Sequence, residues 1–142
     1  MKLTNRSEYA LLALVYLARH EPEGYLSVET IALAQGIPPK FLEQIMLALK
    51  RARYVRSTKG QYGGYRLARP ADKITLAAVI RLFDGALAPT ESVSQFFYES
   101  TPIEKEESLV QVFREIRDYV SEKLDNTTIA DVCVEAGARR RS

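Results

Sequence analysis

Apolar residues recur along this chain with two periods, helical over most of its length and alternating over one short stretch in between. Residues 9 to 18, YALLALVYLA, are apolar nearly all round, and Asn5 followed by Glu8 has capping-box spacing, so a helix is predicted from there to about Arg19. A helix apolar on every side needs cover on more than one side, which points to a partner chain as well as the protein's own core. Ser27 is a good N-cap for VETIALAQ, with Gly36 a natural stop just after it. Pro38 and Pro39 make a brief connection to a third helix opening toward Lys40. There Leu42, Ile45, Met46 and Leu49 fall at i, i+3, i+4 and i+7 as a core-facing stripe, and Lys40, Glu43, Gln44 and Leu47 line the opposite side.

The alternating stretch follows directly. In VRSTKGQYGGYRL, Val55, Ser57, Tyr65 and Leu67 share one face, while Arg56 and Arg66 share the other, flanked by Lys59 and Arg69. Gly60, Gly63 and Gly64 mark a tight turn between the two runs. Two closely spaced helices followed by such a hairpin predict a winged helix-turn-helix. Thr75 then caps a helix from Leu76 to about Asp84, ending at Gly85. Residues 86–103 lack periodicity and read as a loop carrying Phe96, Phe97 and Tyr98. From Glu104 to Leu124 a long helix is expected, with Leu109, Phe113, Ile116 and Val120 on one stripe, longer than a small first domain can cover. The remaining TTIADVCVEAGARRRS should add a short turn of structure and a frayed basic tail. The fold class is therefore mainly α: a DNA-binding winged helix-turn-helix over 1–85, a loop over 86–103, a dimerisation helix and C-terminal segment over 104–134, and a tail over 135–142.

Charge adds direction to this picture. The net charge of the 142 residues is only +2, but nine basic residues between Lys40 and Lys73 meet just Glu43 and Asp72, so a polyanion is an expected partner for that region. Cys133 is the sole cysteine, which excludes an intramolecular disulfide and an all-cysteine metal site within one chain, and suits a cytoplasmic protein. The apolar run of residues 9 to 18 falls short of the roughly 20 residues needed to span a bilayer, and no membrane partner is expected. Enzyme readings find little support. His20 stands at the end of the first helix beside Glu21, and no nucleophile, phosphate-loop or zinc-protease motif occurs.

The side chains suit a duplex. Gln can pair bidentately with adenine and Glu can accept from the cytosine amino group, and Glu43 and Gln44 lie on the outward face of the third helix. Lys40 at its start and Lys50 and Arg51 at its end could hold phosphates, which position without specifying sequence. In the hairpin, glycines 60, 63 and 64 would let backbone approach a sugar-phosphate strand, Arg56, Lys59 and Arg66 supply charge, and Gln61 or Tyr62 at the tip could enter the minor groove. Tyr65, in phase with Leu67, is expected to pack inward.

With these segments in this order the chain resembles the Rrf-two family of bacterial winged-helix transcription regulators, nearly end to end. LTNRSEYALLALVYLA, IPPKFLEQ, GGYRLARP, DKITLAAVIRLFDG and TTIADV carry the resemblance. It implies a homodimer built by crossing the long helices, with two wings and two reading helices aimed at a palindromic operator. Members that sense through an iron-sulfur cluster have three cysteines in the stretch corresponding to 86–107, where this chain has neither Cys nor His. A cluster-free regulator without cofactor is therefore expected. Arg53 stands where the family usually has Gly or Asn, adding a phosphate contact; Lys2 and Thr4 would join the backbone grip. Effector control, by a small molecule or partner protein, would fall to the loop around Phe96, Phe97 and Tyr98, or to oxidation of Cys133. The alternative is a winged-helix adaptor whose main partner is another protein.

Overall fold

The computed structural model describes residues 1–134; the expected frayed tail, 135–142, lies outside them. Helix α1 (Asn5–Arg19) is capped by Thr4 rather than by Asn5. Thr4 is extended (φ −80°, ψ 164°) and its hydroxyl accepts from the Ser7 N–H, whereas Asn5 is already helical and cannot cap. Helices α2 (Val28–Gln35) and α3 (Pro39–Arg51) follow as expected, with Ser27 capping the first and Gly36 ending it in the left-handed region at φ 67°. On α3 the stripe of Leu42, Ile45, Met46 and Leu49 is fully buried. It packs with Ala10, Ala13, Leu14 and Leu17 of α1 and Ile31 of α2 into the main core.

Strands β1 (Val55–Thr58) and β2 (Gly64–Leu67) pair antiparallel, Val55 opposite Leu67 and Arg56 opposite Arg66. Val55 and Leu67 point into the core, so the period-2 reading of the hairpin holds. A third rung was not legible in the sequence. Leu26, in the loop before α2, exchanges two backbone hydrogen bonds with Tyr65 (2.9 and 2.7 Å) and fastens the hairpin to the helical body.

Helix α4 (Leu76–Asp84) starts at Thr75 and stops at Gly85. Asp84 at its end receives hydrogen bonds from the backbone N–H and the hydroxyl of Thr4, tying α4 to the start of α1. Partial burial pushes the Asp84 carboxyl up, but the Thr4 hydrogen bonds and the nearby Arg6 charge outweigh it and hold the carboxyl below its ordinary value of 3.8. A depressed folded value stabilises above the unfolded one and is lost as pH falls through the folded one. Asp84→Asn should thus cost about 1 kcal/mol at neutral pH, the group being partly exposed. In urea titrations the gap to the unmodified protein should close only below about pH 4.

The second half departs more from expectation. The loop 86–103 is partly structured, with a 3-10 turn at Glu91–Val93 and with Ala88 and Val93 buried against Val110. Helix α5 (Glu107–Asp125) starts at Glu107 rather than Glu104 because a separate 3-10 turn, Pro102–Lys105, precedes it and the Glu106 carboxylate caps it. The expected stripe on α5 divides. Phe113 packs against Ala88, Val93 and Val110, and Val120 against Ala77, Ile80 and Leu87 of its own chain. Leu109 and Ile116 instead lie exposed, with Val112 and Tyr119 beside them at 50% and 73%. The end of the described chain also belongs elsewhere than expected. Residues 127–129 add backbone hydrogen bonds to Ile74 and Leu76, Ile129 is fully buried in the main core, and 129–134 are helical. The short structured segment after α5 thus packs with the 1–85 unit.

Candidate nucleic-acid interface

Burial of one side of α3 leaves the other in solvent: Lys40, Glu43, Gln44, Leu47, Lys50 and Arg51 are all exposed. The wing joins this face through the turn after α3. The Arg53 N–H bonds to the Lys50 carbonyl and the Tyr54 N–H to that of Leu49, both at 2.9 Å, the Schellman pattern that ends a helix on a left-handed residue. That residue is Arg53, with φ 65°, where glycine would be relaxed. Arg53 thus keeps the left-handed turn despite its Cβ, and its side chain is exposed at the junction of helix and wing.

Arg69 takes a different part from the one its charge suggested. Its guanidinium donates to the carbonyls of Arg53 (3.1 Å) and Ala52 (3.2 Å) and lies 4.5 Å over the Tyr54 ring. It therefore neutralises the carbonyl end of α3 and locks the segment after β2 to the end of that helix. The base of the wing also lies near α3. Burial raises the Tyr65 phenol above its ordinary value and the negative charge of Glu43 adds to the shift, so these two groups lie within electrostatic reach.

On the wing, Arg56 faces Arg66 directly across the strands, and like charges so placed oppose pairing. Arg66 is half-buried with its guanidinium over Tyr25, and its Nε finds no partner. At the tip Lys59, Gly60, Gln61 and Tyr62 are exposed, Tyr62 to 86%. Among the described residues no carboxylate pairs with Lys40, Lys50, Arg51, Arg53, Arg56, Lys59 or Arg66, whereas in the other half Arg81, Arg114 and Arg117 are paired and only Lys105 and Lys123 are not. Unpaired cations concentrated on one helix, one turn and one hairpin form a surface built for an anion larger than a side chain.

Three expected contributions change. The Thr4 hydroxyl donates to Asp84 and accepts from Ser7, so its single proton is not free for a phosphate. Gly63 and Gly64 serve the hairpin itself, because a Cβ would stand 2.4 Å from the Thr58 carbonyl oxygen at the first and 2.2 Å from that of Leu26 at the second. Gly60 alone, at φ 105°, has open space where an outside strand could approach. Lys2 is exposed, on a segment pinned to α4 through Leu3 and Thr4.

The Arg53 geometry sets a trade. Arg53→Gly should stabilise the fold by about 1 kcal/mol through relief of the left-handed strain. It should also weaken DNA binding and reduce the salt dependence of binding by about one charge, which thermal melts and salt titrations would check.

Elsewhere, Phe96, Phe97 and Tyr98 are 63%, 46% and 61% exposed; Arg81 lies over Phe96 and Tyr98 hydrogen-bonds Glu104. The recess between this loop, Arg81 and Ser121 measures about 10 Å³, room for no more than a water molecule. Cys133 packs half-buried against the core, its Sγ 4.0 Å from the Val15 carbonyl. No cluster of three or more His, Cys, Asp or Glu among the described residues could hold a metal ion. His20 is taken up by Glu23 and the Tyr16 ring. No helix among the described residues is long and apolar enough to cross a membrane.

Known proteins share both the sequence and this architecture. Residues 3–135 match the family model Rrf2, described as an iron-dependent transcriptional regulator. The chain is 33% identical over 132 residues to the HTH-type transcriptional regulator CymR of Bacillus subtilis, covering 93% of this chain and 89% of CymR. The solved structure of CymR, the global cysteine regulator of that organism, superposes with a TM-score of 0.77 at 31% identity, over 95% of this chain and 98% of CymR. IscR of T. potens superposes with a TM-score of 0.75 at 29% identity, over 96% of this chain and 88% of that one. A winged helix-turn-helix with an unpaired cationic reading face, matched over nearly its whole length by such regulators, belongs to the Rrf2 family of DNA-binding transcription regulators, which are not enzymes.

Proposed function

We propose that the protein is a sequence-specific transcription regulator that binds a palindromic operator as a homodimer and does so without an iron-sulfur cluster. The observation that carries the DNA reading is the single face on which the polar side of α3, the strained Arg53 and the opposed Arg56 and Arg66 meet, with no carboxylate among the described residues pairing with these cations. A polyanion relieves that repulsion; bulk solvent only screens it.

Support for the dimer comes from surface that one chain leaves uncovered. Leu109, Val112, Ile116 and Tyr119 fall at i, i+3, i+7 and i+10 on the outer side of α5. A cleft of about 540 Å³ runs along α1, lined by Leu3, Leu11, Leu12, Val15 and Val132 among others. A two-fold dimer imposes its symmetry on the site, so half-sites would be inverted and about one helical turn, or a multiple of that, apart.

The iron dependence in the family description does not fit the donors of this chain. A [2Fe-2S] or [4Fe-4S] centre needs about four protein ligands, mostly thiolates, and a dimer would bring two copies of Cys133, each packed against α1. Control would fall instead to the aromatic loop. With so small a recess beneath it, that loop offers a surface to a partner protein or a flat ligand rather than a pocket.

Binding measured across salt concentrations tests the reading. Gln44→Ala should relax base preference at one operator position at a cost of about 1 to 3 kcal/mol, while Lys59→Ala should weaken all sequences alike and lower the salt slope by about 1. Anaerobic loading with iron and sulfide should leave affinity unchanged. Binding without a salt slope would favour the protein-docking adaptor instead, and a stoichiometric cluster that alters affinity would overturn cluster independence.

A further inference from the structure

Within the exposed face of α3 one residue is out of keeping with the rest. Leu47 is 45% exposed, between Glu43 and Gln44 one turn before it and Lys50 and Arg51 one turn after, all polar and exposed. The core gains nothing from it, since that side of the helix is already filled by Leu42, Ile45, Met46 and Leu49. Helix formation does not call for it either, because Arg, Lys and Gln form helix about as well as Leu. An apolar side chain there is stabilising only when something apolar covers it. The major groove displays one apolar group on its base edges, the C5-methyl of thymine.

We infer that Leu47 is a specificity-determining residue that packs on a thymine methyl in each half-site. This rests on the reading of α3 as the major-groove helix. One helical turn advances about 5.4 Å, so the thymine lies one to two base pairs from the base read by Glu43 or Gln44. Leu47 thereby supplies an apolar contact between two polar ones, and the methyl, rather than a hydrogen bond, is what it reads.

The test begins with a randomised duplex pool, from which the unmodified protein selects its sites. Each selected thymine is then replaced by deoxyuridine, which removes the methyl and keeps every hydrogen-bonding group. Uridine at that position in one half-site should weaken binding about fourfold, the worth of one buried methyl-sized group, and about fifteenfold when both half-sites are changed. Leu47→Ala, which retains the helix because Ala is the better helix former, should bind the thymine and uridine duplexes equally. The inference is overturned if no thymine methyl matters to the unmodified protein, a result that needs no variant, or if the same methyl matters as much to Leu47→Ala. A protein that enriches no sequence from the pool would overturn the DNA reading of α3 itself, and the Leu47 inference with it.

Discussion

Gly64→Ala should destabilise the protein by more than about 3 kcal/mol and abolish DNA binding together with it. At φ 154° the backbone there already favours glycine, and the added Cβ would meet the Leu26 carbonyl oxygen at 2.2 Å and the Ser27 nitrogen at 2.7 Å. The Leu26 carbonyl accepts the Tyr65 N–H in the rung between them, so it cannot yield without breaking the pairing that fastens the wing to the body. Gly60→Ala, with nothing within 4 Å of its Cβ position, should cost only the strain of its positive φ, about 1 kcal/mol. Denaturant unfolding of the two variants side by side checks the ranking. Equal losses would show that the turn, rather than the Leu26 contact, sets the demand for glycine.

The second large effect should separate the proposed dimer from the fold. Ile116→Asp places a carboxylate on a surface that one chain leaves exposed, so the monomer should stay folded while dimerisation is lost, burial of an unpaired charge in the interface being costly. Loss of the second half-site should then lower operator affinity by several orders of magnitude. Phe113→Asp, three residues earlier, lies against Ala88, Val93 and Val110 of its own chain and should unfold that corner of the protein instead. Sedimentation combined with circular dichroism distinguishes the two: helical monomer for the first, reduced helix content for the second. A helical dimer carrying Ile116→Asp would remove α5 from the interface.

Much of this was legible along the chain, for local reasons. The stripe Leu42, Ile45, Met46 and Leu49, the caps Ser27 and Thr75, the stop at Gly36 and the alternation about the wing depend on residues within a turn or a strand of one another. Periodicity and capping express such contacts directly. The opposed arginines follow from the same alternation once the hairpin register is known, and the polar face of α3 is the complement of its buried one.

What escaped the sequence rests on contacts between residues far apart in it. Thr4 displaces Asn5 as the cap of α1 and is spent on Asp84, 80 residues away. Arg69 resembles the other wing cations in type and position, yet the carbonyls of Ala52 and Arg53 claim it. Ile129 could be read as a short apolar turn, but the backbone bonds of residues 127–129 to Ile74 and Leu76 draw it into the main core. On α5 a helical period identifies an apolar face without saying what covers it, and only the packed loop shows that Phe113 and Val120 turn to their own chain while Leu109 and Ile116 do not. The sequence by itself therefore determined the elements, the cationic face and the family resemblance, because these depend on neighbours and on residue type. The tertiary structure decided which glycines serve the hairpin rather than a ligand, which cations remain free and which apolar positions are left open, because each depends on what distant segments bring within a few ångströms.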